Sequence, residues 1–344
     1  MEEYLKTLSN TYRNVELQGI SKTAENRSVY LVKITSRQDH ICPVPKKVIL
    51  MDAAIEGNDW ITTSVALKTI HELVVNYEEN IKLLERFDWY ILPMVNPDGY
   101  QFSRQPLFLH WKKNRSPNGQ YFGTNLNQNF ASNWNKLYSK HSSPWSQNFI
   151  GNNPFSELES NIIGSLMTNL LKEKKAFLYI TLHTSTAPSV FYPEPFELSP
   201  TKQIEMSKNI AFYGSKMIFE KAKPYYAHIP PKEFRRLGGT SLDYAYEQGI
   251  PLTFSIALFE EHLYSSMRYF DNRAIVGWNG VFGLVEGAVK YGCNSPLEDK
   301  CKCLQEEDEE EEEEEKEDKK EKTGDEFKVL FIHSESNNSS KSSD

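Results

Sequence analysis

The chain has 344 residues, 39% hydrophobic and 12% aromatic, enough to build the core of one large domain or two small ones. Its net charge of −8 is concentrated in residues 306–326, where 15 acidic and 4 basic side chains leave the rest of the chain slightly basic, at +3. No basic stripe suits nucleic acid, and no apolar run reaches membrane-spanning length.

The first residues, Met1 to Lys6, read as the opening turn of a helix and not as the apolar core of a signal peptide, so the compartment stays open. Residues 29–34 and 47–51 are rich in β-branched residues and predict strands. Residues 61–77 place Val65, Ile70, Leu73 and Val74 at helical spacing. A strand is predicted over 87–95, ending in the turn signal Asn96-Pro97-Asp98-Gly99. A helix over 157–172, a strand over 176–182, a long helix over 202–223, a strand over 252–258 and a closing helix over 275–290 follow.

Repeated strand–helix alternation predicts an α/β domain over residues 1–294, with a mixed, largely parallel twisted sheet and helices on both faces. In such sheets ligands bind beyond the carboxyl ends of strands. The segments around Asp52–Asp59 and His183 both fall at strand ends. Within residues 295–344, 306–322 are nearly all charged and 334–344 are Ser/Asn-rich, a composition that cannot bury enough apolar surface to offset the entropy of ordering. A disordered acidic tail is expected there. The cysteines, Cys42, Cys293, Cys301 and Cys303, are expected as unpaired thiols, since Cys301 and Cys303 stand too isolated for a zinc ribbon. Asn26-Arg27-Ser28 and Asn114-Arg115-Ser116 match the glycosylation tripeptide, a pattern that often arises by chance.

Five further motifs run in order along the chain: Asn96-Pro97-Asp98-Gly99-Tyr100, Trp111-Lys112-Lys113-Asn114-Arg115-Ser116, Asn125-Leu126-Asn127-Gln128-Asn129-Phe130, Pro154-Phe155-Ser156-Glu157-Leu158-Glu159 and Gly239-Thr240-Ser241-Leu242-Asp243-Tyr244. With Glu56-x-x-Asp59-Trp60 and His183, they make residues 1–294 resemble the zinc carboxypeptidases of the A/B type. The resemblance implies a Zn²⁺ held by two His and one Glu, a Glu general base, Arg side chains for the substrate's terminal carboxylate, and a Tyr that closes over it.

Residue by residue, the resemblance maps the metal ligands onto Glu56, Asp59 and His183, of which His183 alone keeps the family's residue type. Two carboxylates and one imidazole favour harder cations over Zn²⁺, so at best a weak, degenerate site is expected, and zinc follows from the resemblance only. The general base maps onto Ala257, 14 residues after Asp243, as in the family's spacing, and a methyl group accepts no proton. Glu260 and Glu261 lie past the strand's end, several ångströms further along. Arg115 and Asn127 keep substrate-binding identities. Gln128 replaces a clamp Arg, Lys112 replaces another, and Arg235 stands at the Tyr position with Arg236 beside it. Leu242 falls at the pocket base and favours an apolar end group.

With no catalytic residue left at the base position, a monomeric pseudoenzyme that holds a peptide or protein C-terminus in the remnant cleft is the leading expectation. An active metallocarboxypeptidase with a rearranged site, removing apolar C-terminal residues, and an interaction protein working through its acidic tail remain as alternatives.

Overall fold

A computed structural model describes residues 1–37, 46–134, 143–193, 202–218, 226–228, 238–259 and 267–292. The four cysteines, Arg235, Arg236, Glu260, Glu261, the boundary at residue 294 and the acidic tail all lie outside the described residues.

Strands β1 (Val15–Lys22), β2 (Ser28–Ile34), β3 (Lys47–Asp52), β4 (Phe87–Leu92), β7 (Ala176–Ser185), β8 (Ser189–Phe191), β9 (Tyr226–His228) and β10 (Leu252–Phe259) form one sheet, in the order β1-β2-β4-β3-β7-β10-β8-β9. The four central strands, β4, β3, β7 and β10, are mutually parallel, while β1, β2 and β8 pair antiparallel with their inner neighbours. Two-residue strands β5 (Pro117–Asn118) and β6 (Tyr121–Phe122) make a separate small ladder. The mixed, largely parallel sheet expected from the alternation is present.

Parallel strands are covered on both faces, and their sequences read as near-continuous apolar runs. In β3 every residue after Lys47 is buried, and in β10 every residue before Phe259. Side-chain alternation divides each strand between two cores. Leu178, Ile180 and Leu182 of β7, with Phe254, Ile256 and Leu258 of β10, pack under α2 (Trp60–Val74), α6 (Lys202–Met217) and α8 (Met267–Gly292). Tyr179 of β7 and Leu50 of β3 face the other way, toward α5 (Leu158–Lys172) and α7 (Ser241–Glu247). By the same parity Thr181, His183, Ser255 and Ala257 lie on the Tyr179 face, where the sheet's carboxyl edge opens.

The remaining described helices are α1 (Glu2–Thr11), α3 (Ile81–Arg86) and α4 (Pro97–Ser103). The predicted turn at Asn96-Pro97-Asp98-Gly99 is the start of α4. Asn96 caps it by accepting the Gly99 N–H at 2.9 Å, with Pro97 in the first turn, where its missing N–H costs nothing. Strands β1, β8 and β9 have no counterpart in the predicted elements. Edge strand β1 is half-exposed and interrupted by a bulge between Gly19 and Ser21, which masks any alternation. Among the described residues no helix is long and apolar enough to cross a membrane.

Candidate functional site: a polar cleft at the carboxyl ends of β3, β7 and β10

Beyond the end of β3 the chain turns sharply. Ala54 is held at φ 51°, an uncommon conformation for a residue with a Cβ, and is fixed on both sides: its N–H donates to Thr62 Oγ1 at 2.8 Å, and its carbonyl accepts the Asn96 N–H at 3.0 Å. The turn brings Glu56 to the cleft and leaves Asp59 at the start of α2. Gly57 is required by close approach, because a Cβ there would stand 2.7 Å from the Gly99 carbonyl carbon and 2.8 Å from the Trp111 carbonyl oxygen.

The cleft is lined by Glu56, Lys112, Asn127, His183, Thr184 and Ser185, and by Phe191, Thr240, Leu242, Asp243, Ser255 and Ala257. Of the three expected metal positions, Glu56 and His183 line the cleft and Asp59 lies against His183, and each is already engaged by the protein. Glu56 accepts Lys112 Nζ at 2.9 Å and Asn125 Nδ2 at 3.0 Å. Asp59, 1% exposed, accepts the Thr184 hydroxyl and its N–H, the latter at 3.2 Å, and its Oδ2 lies 3.4 Å from His183 Nδ1. His183 Nε2 lies 3.1 Å from Thr181 Oγ1 and 3.4 Å from Asn127 Nδ2. The Thr181 hydroxyl donates to Asp52 at 2.9 Å, which leaves it a lone pair for an Nε2–H. Asp52, fully buried, also accepts the Tyr179 hydroxyl.

The electrostatics follow from these contacts. Burial pushes the Glu56 carboxyl up, but Lys112, His183 and Asn125 outweigh it and hold the group below its ordinary value. Burial dominates at Asp59, whose carboxyl is raised further by Glu56 and only partly relieved by His183 and Thr184. Burial would lower the His183 imidazole, yet Asp59, Glu56 and Asp52 together raise it.

These residues do not fit a zinc site. Zinc wants three ligands with free lone pairs converging on an open fourth position. Here the two carboxylates point at an ammonium, an amide and a hydroxyl. Among the described residues no three His, Cys, Asp or Glu side chains come together as a possible metal cage.

The other predicted site residues separate into three groups. Asn127, Leu242 and Ala257 line the cleft, with Leu242 6% and Ala257 3% exposed. Asn127 is held by Ser241, whose N–H and hydroxyl donate to Oδ1 at 3.1 and 3.2 Å. Gln128 is 6% exposed and is not among the lining residues; the backbone of Gly239 packs against its carbonyl. Arg115 is also outside the lining. Its guanidinium lies 3.8 Å from the Phe102 ring centroid and 4.6 Å from that of Phe122, and its Nε donates to Glu25 at 3.3 Å. Arg235 lies outside the described residues. The matched glycosylation tripeptide at Asn114 is a buried structural joint, 1% exposed, with its amide donating to Glu157 at 2.7 Å and Glu159 at 3.2 Å.

Sequence reasoning did not find Asn125, Thr181 or Thr184 as site members. The signal for Thr184 was its adjacency to His183; that for Asn125 was the Asn-x-Asn-x-Asn spacing. Asn129, the third of these, fastens the loop to the start of α5 by accepting the Glu157 N–H at 3.1 Å and the Ser160 hydroxyl at 2.7 Å.

A mixed sheet with a cleft at its carboxyl edge defines an α/β protein, a class in which ligand sites commonly lie at strand ends. A family model described as zinc carboxypeptidase matches residues 1–270, and the chain belongs to that family. It is similar to human mast cell carboxypeptidase A, with 30% identity over 246 residues, covering 70% of this chain and 56% of that protein. It is also 30% identical over 217 residues to the inactive metallocarboxypeptidase ecm14 of Talaromyces stipitatus, covering 60% of this chain and 36% of that one. The structure of bovine thrombin-activatable fibrinolysis inhibitor in complex with tick carboxypeptidase inhibitor shares the fold, with a TM-score of 0.71 at 23% identity, covering 84% of this chain and 95% of that chain. The chain thus spans a little over half the length of human mast cell carboxypeptidase A.

Proposed function

We propose that the protein is a catalytically inactive carboxypeptidase-like protein whose cleft holds the C-terminal end of a peptide or protein. One observation carries the reading. Ala257, onto which the family resemblance maps the general base, stands directly opposite His183 in the parallel register of β7 and β10. Its methyl lines the cleft and can neither accept a proton nor orient a water. A general base is commonly worth 10²–10⁴-fold in rate. With Glu56 and Asp59 engaged by Lys112 and Thr184, no activated water is supplied either.

The lining still suits a ligand. Phe191, Leu242 and Ala257 give apolar walls, and Asn127, Thr184, Ser185, Thr240 and Ser255 give hydrogen-bonding groups around them. An apolar terminal side chain against Leu242, with its backbone amides on the polar wall, is the ligand this composition favours.

Calorimetric titration with peptides ending in Leu, Phe, Lys or Asp tests the reading. Saturable heat is expected with the Leu and Phe peptides, and their lengths should be unchanged by mass spectrometry after prolonged incubation. No heat with any free-carboxylate peptide would refute the binding role, and shortened peptides would refute the inactivity.

A further inference from the structure

One of the three positions that the resemblance gives to metal ligands, Glu56, is met here by an ammonium. Lys112 reaches Glu56 Oε2 at 2.9 Å, and its backbone is locked to the same loop. Its carbonyl accepts the Gly57 N–H at 2.8 Å, and its N–H donates to Gln147 Oε1 at 3.0 Å. The side chain is thus delivered to Glu56 by a backbone that the turn at Gly57 itself anchors. Asn125 completes Glu56 from the other side at 3.0 Å and, through its Oδ1, accepts the Asn127 N–H at 3.1 Å. Asp59, the second carboxylate, is tied to the β7 end through Thr184 and His183.

Glu56 and Asp59 are both largely buried and Glu56 raises the Asp59 carboxyl, and a buried carboxylate is costly without a counter-charge. A divalent metal bound by both would remove that cost. Here the charge is found in a side chain, and a compact ammonium on a flexible stem suits a one-to-one contact better than a planar guanidinium does. The Lys112 side chain remains 39% exposed while that of Glu56 is 13% exposed, so the ammonium keeps part of its hydration as it neutralises the more buried partner.

We infer that Lys112 is a resident cation of this cleft, a positioning residue that replaces the metal as counter-charge to Glu56 and keeps the Glu56 loop closed on the Trp111–Asn114 segment. The assembled cleft is therefore metal-independent. The inference rests on the non-catalytic reading of the site, but concerns how the cleft is held together and not what it binds.

A double-substitution cycle tests it. Thermal unfolding is followed for the wild type, Lys112→Met, Glu56→Gln and the doubly substituted chain, each with chelator and with ZnCl2 or MnCl2 alone. Lys112→Met is expected to lower Tm by about 3–6 °C, and adding Glu56→Gln is expected to recover at least half of that loss, because the stranded carboxylate is gone. The wild type should unfold at one temperature with chelator and with either metal. An unchanged Tm in Lys112→Met, a double variant no more stable than Lys112→Met, or a wild-type Tm that moves with metal would each overturn the inference. Peptide titration of the wild type is read separately. Absence of peptide binding would refute the proposed function while leaving the counter-charge role standing.

Discussion

Ala257 and His183 face each other across β10 and β7, two residue pairs before the end of the ladder at Phe259 and Ser185, and both line the same cleft. The pairing sets the position that the resemblance assigns to the general base directly against His183, the residue it assigns to a metal ligand with its type unchanged. Whatever else varies around the cleft, the group beside His183 ends at a methyl.

Restoring that group alone should not restore chemistry. Ala257→Glu places a third carboxylate in a cleft already lined by Glu56 and Asp243, at a position only 3% exposed. The expected outcome is a loss of about 1–3 kcal/mol of stability at neutral pH with no hydrolysis of a C-terminal Leu peptide. Denaturant unfolding and a peptide-release assay read the two effects.

Leu242 should decide the ligand's end group. Leu242→Asp exchanges an apolar wall for a charged one, and affinity for Leu- or Phe-ended peptides is expected to fall 10-fold or more by calorimetry, as about 1–3 kcal/mol of apolar contact is lost. A variant that binds these peptides as tightly as the wild type would move the ligand away from this wall.

Gly57 offers a test of how the site loop is built. Gly57→Ala drives a methyl into the backbone of Gly99 and Trp111, and neither can retreat without disturbing the α4 cap at Asn96 or the Lys112 contact. A destabilisation of about 2 kcal/mol or more is expected in denaturant unfolding. A near-neutral effect would show the loop to be more yielding than its contacts imply.

The pH dependence of stability should carry the mark of Glu159. Burial, reinforced by Glu157 and Asp98, pushes its carboxyl up from 4.5 to about 7, with Asn114 opposing. The folded state therefore binds a proton that the unfolded chain has released. Its contribution is full below about pH 4.5 and is lost as pH rises through about 7, up to a ceiling of roughly 3 kcal/mol. Glu159→Gln keeps an acceptor for Asn114 without the charge, so its stability should fall less than the wild type's between pH 5 and 8. Urea midpoints across that range measure the difference.

Much of the fold was legible because its central strands are short apolar runs bounded by turn residues, as in 47–51 and 252–258, and because five motifs fall in order. The assignment of Ala257 to the base position rests on its spacing from Asp243 read with the family resemblance. What the residues did not reveal is where long side chains turn. Arg115 was expected at the substrate and instead lies on Phe102 and Phe122, beside Glu25, a residue distant in sequence. Lys112 read as a weaker clamp, and its partner turned out to be Glu56, 56 positions away. Such choices depend on which opposite charge the folded backbone brings near, and no local pattern encodes that. Asn114 shows the same limit, since its tripeptide carries no sign that the amide is buried between Glu157 and Glu159.

The central claim is that this member of the zinc carboxypeptidase family holds its cleft together without metal and does no hydrolysis. The most direct measurement is metal content of the purified chain after exposure to excess zinc and desalting, with release of a C-terminal Leu from a test peptide assayed on the same sample. The account predicts far less than one zinc per chain and no released Leu. One tightly held zinc per chain together with steady release of the terminal residue would contradict it.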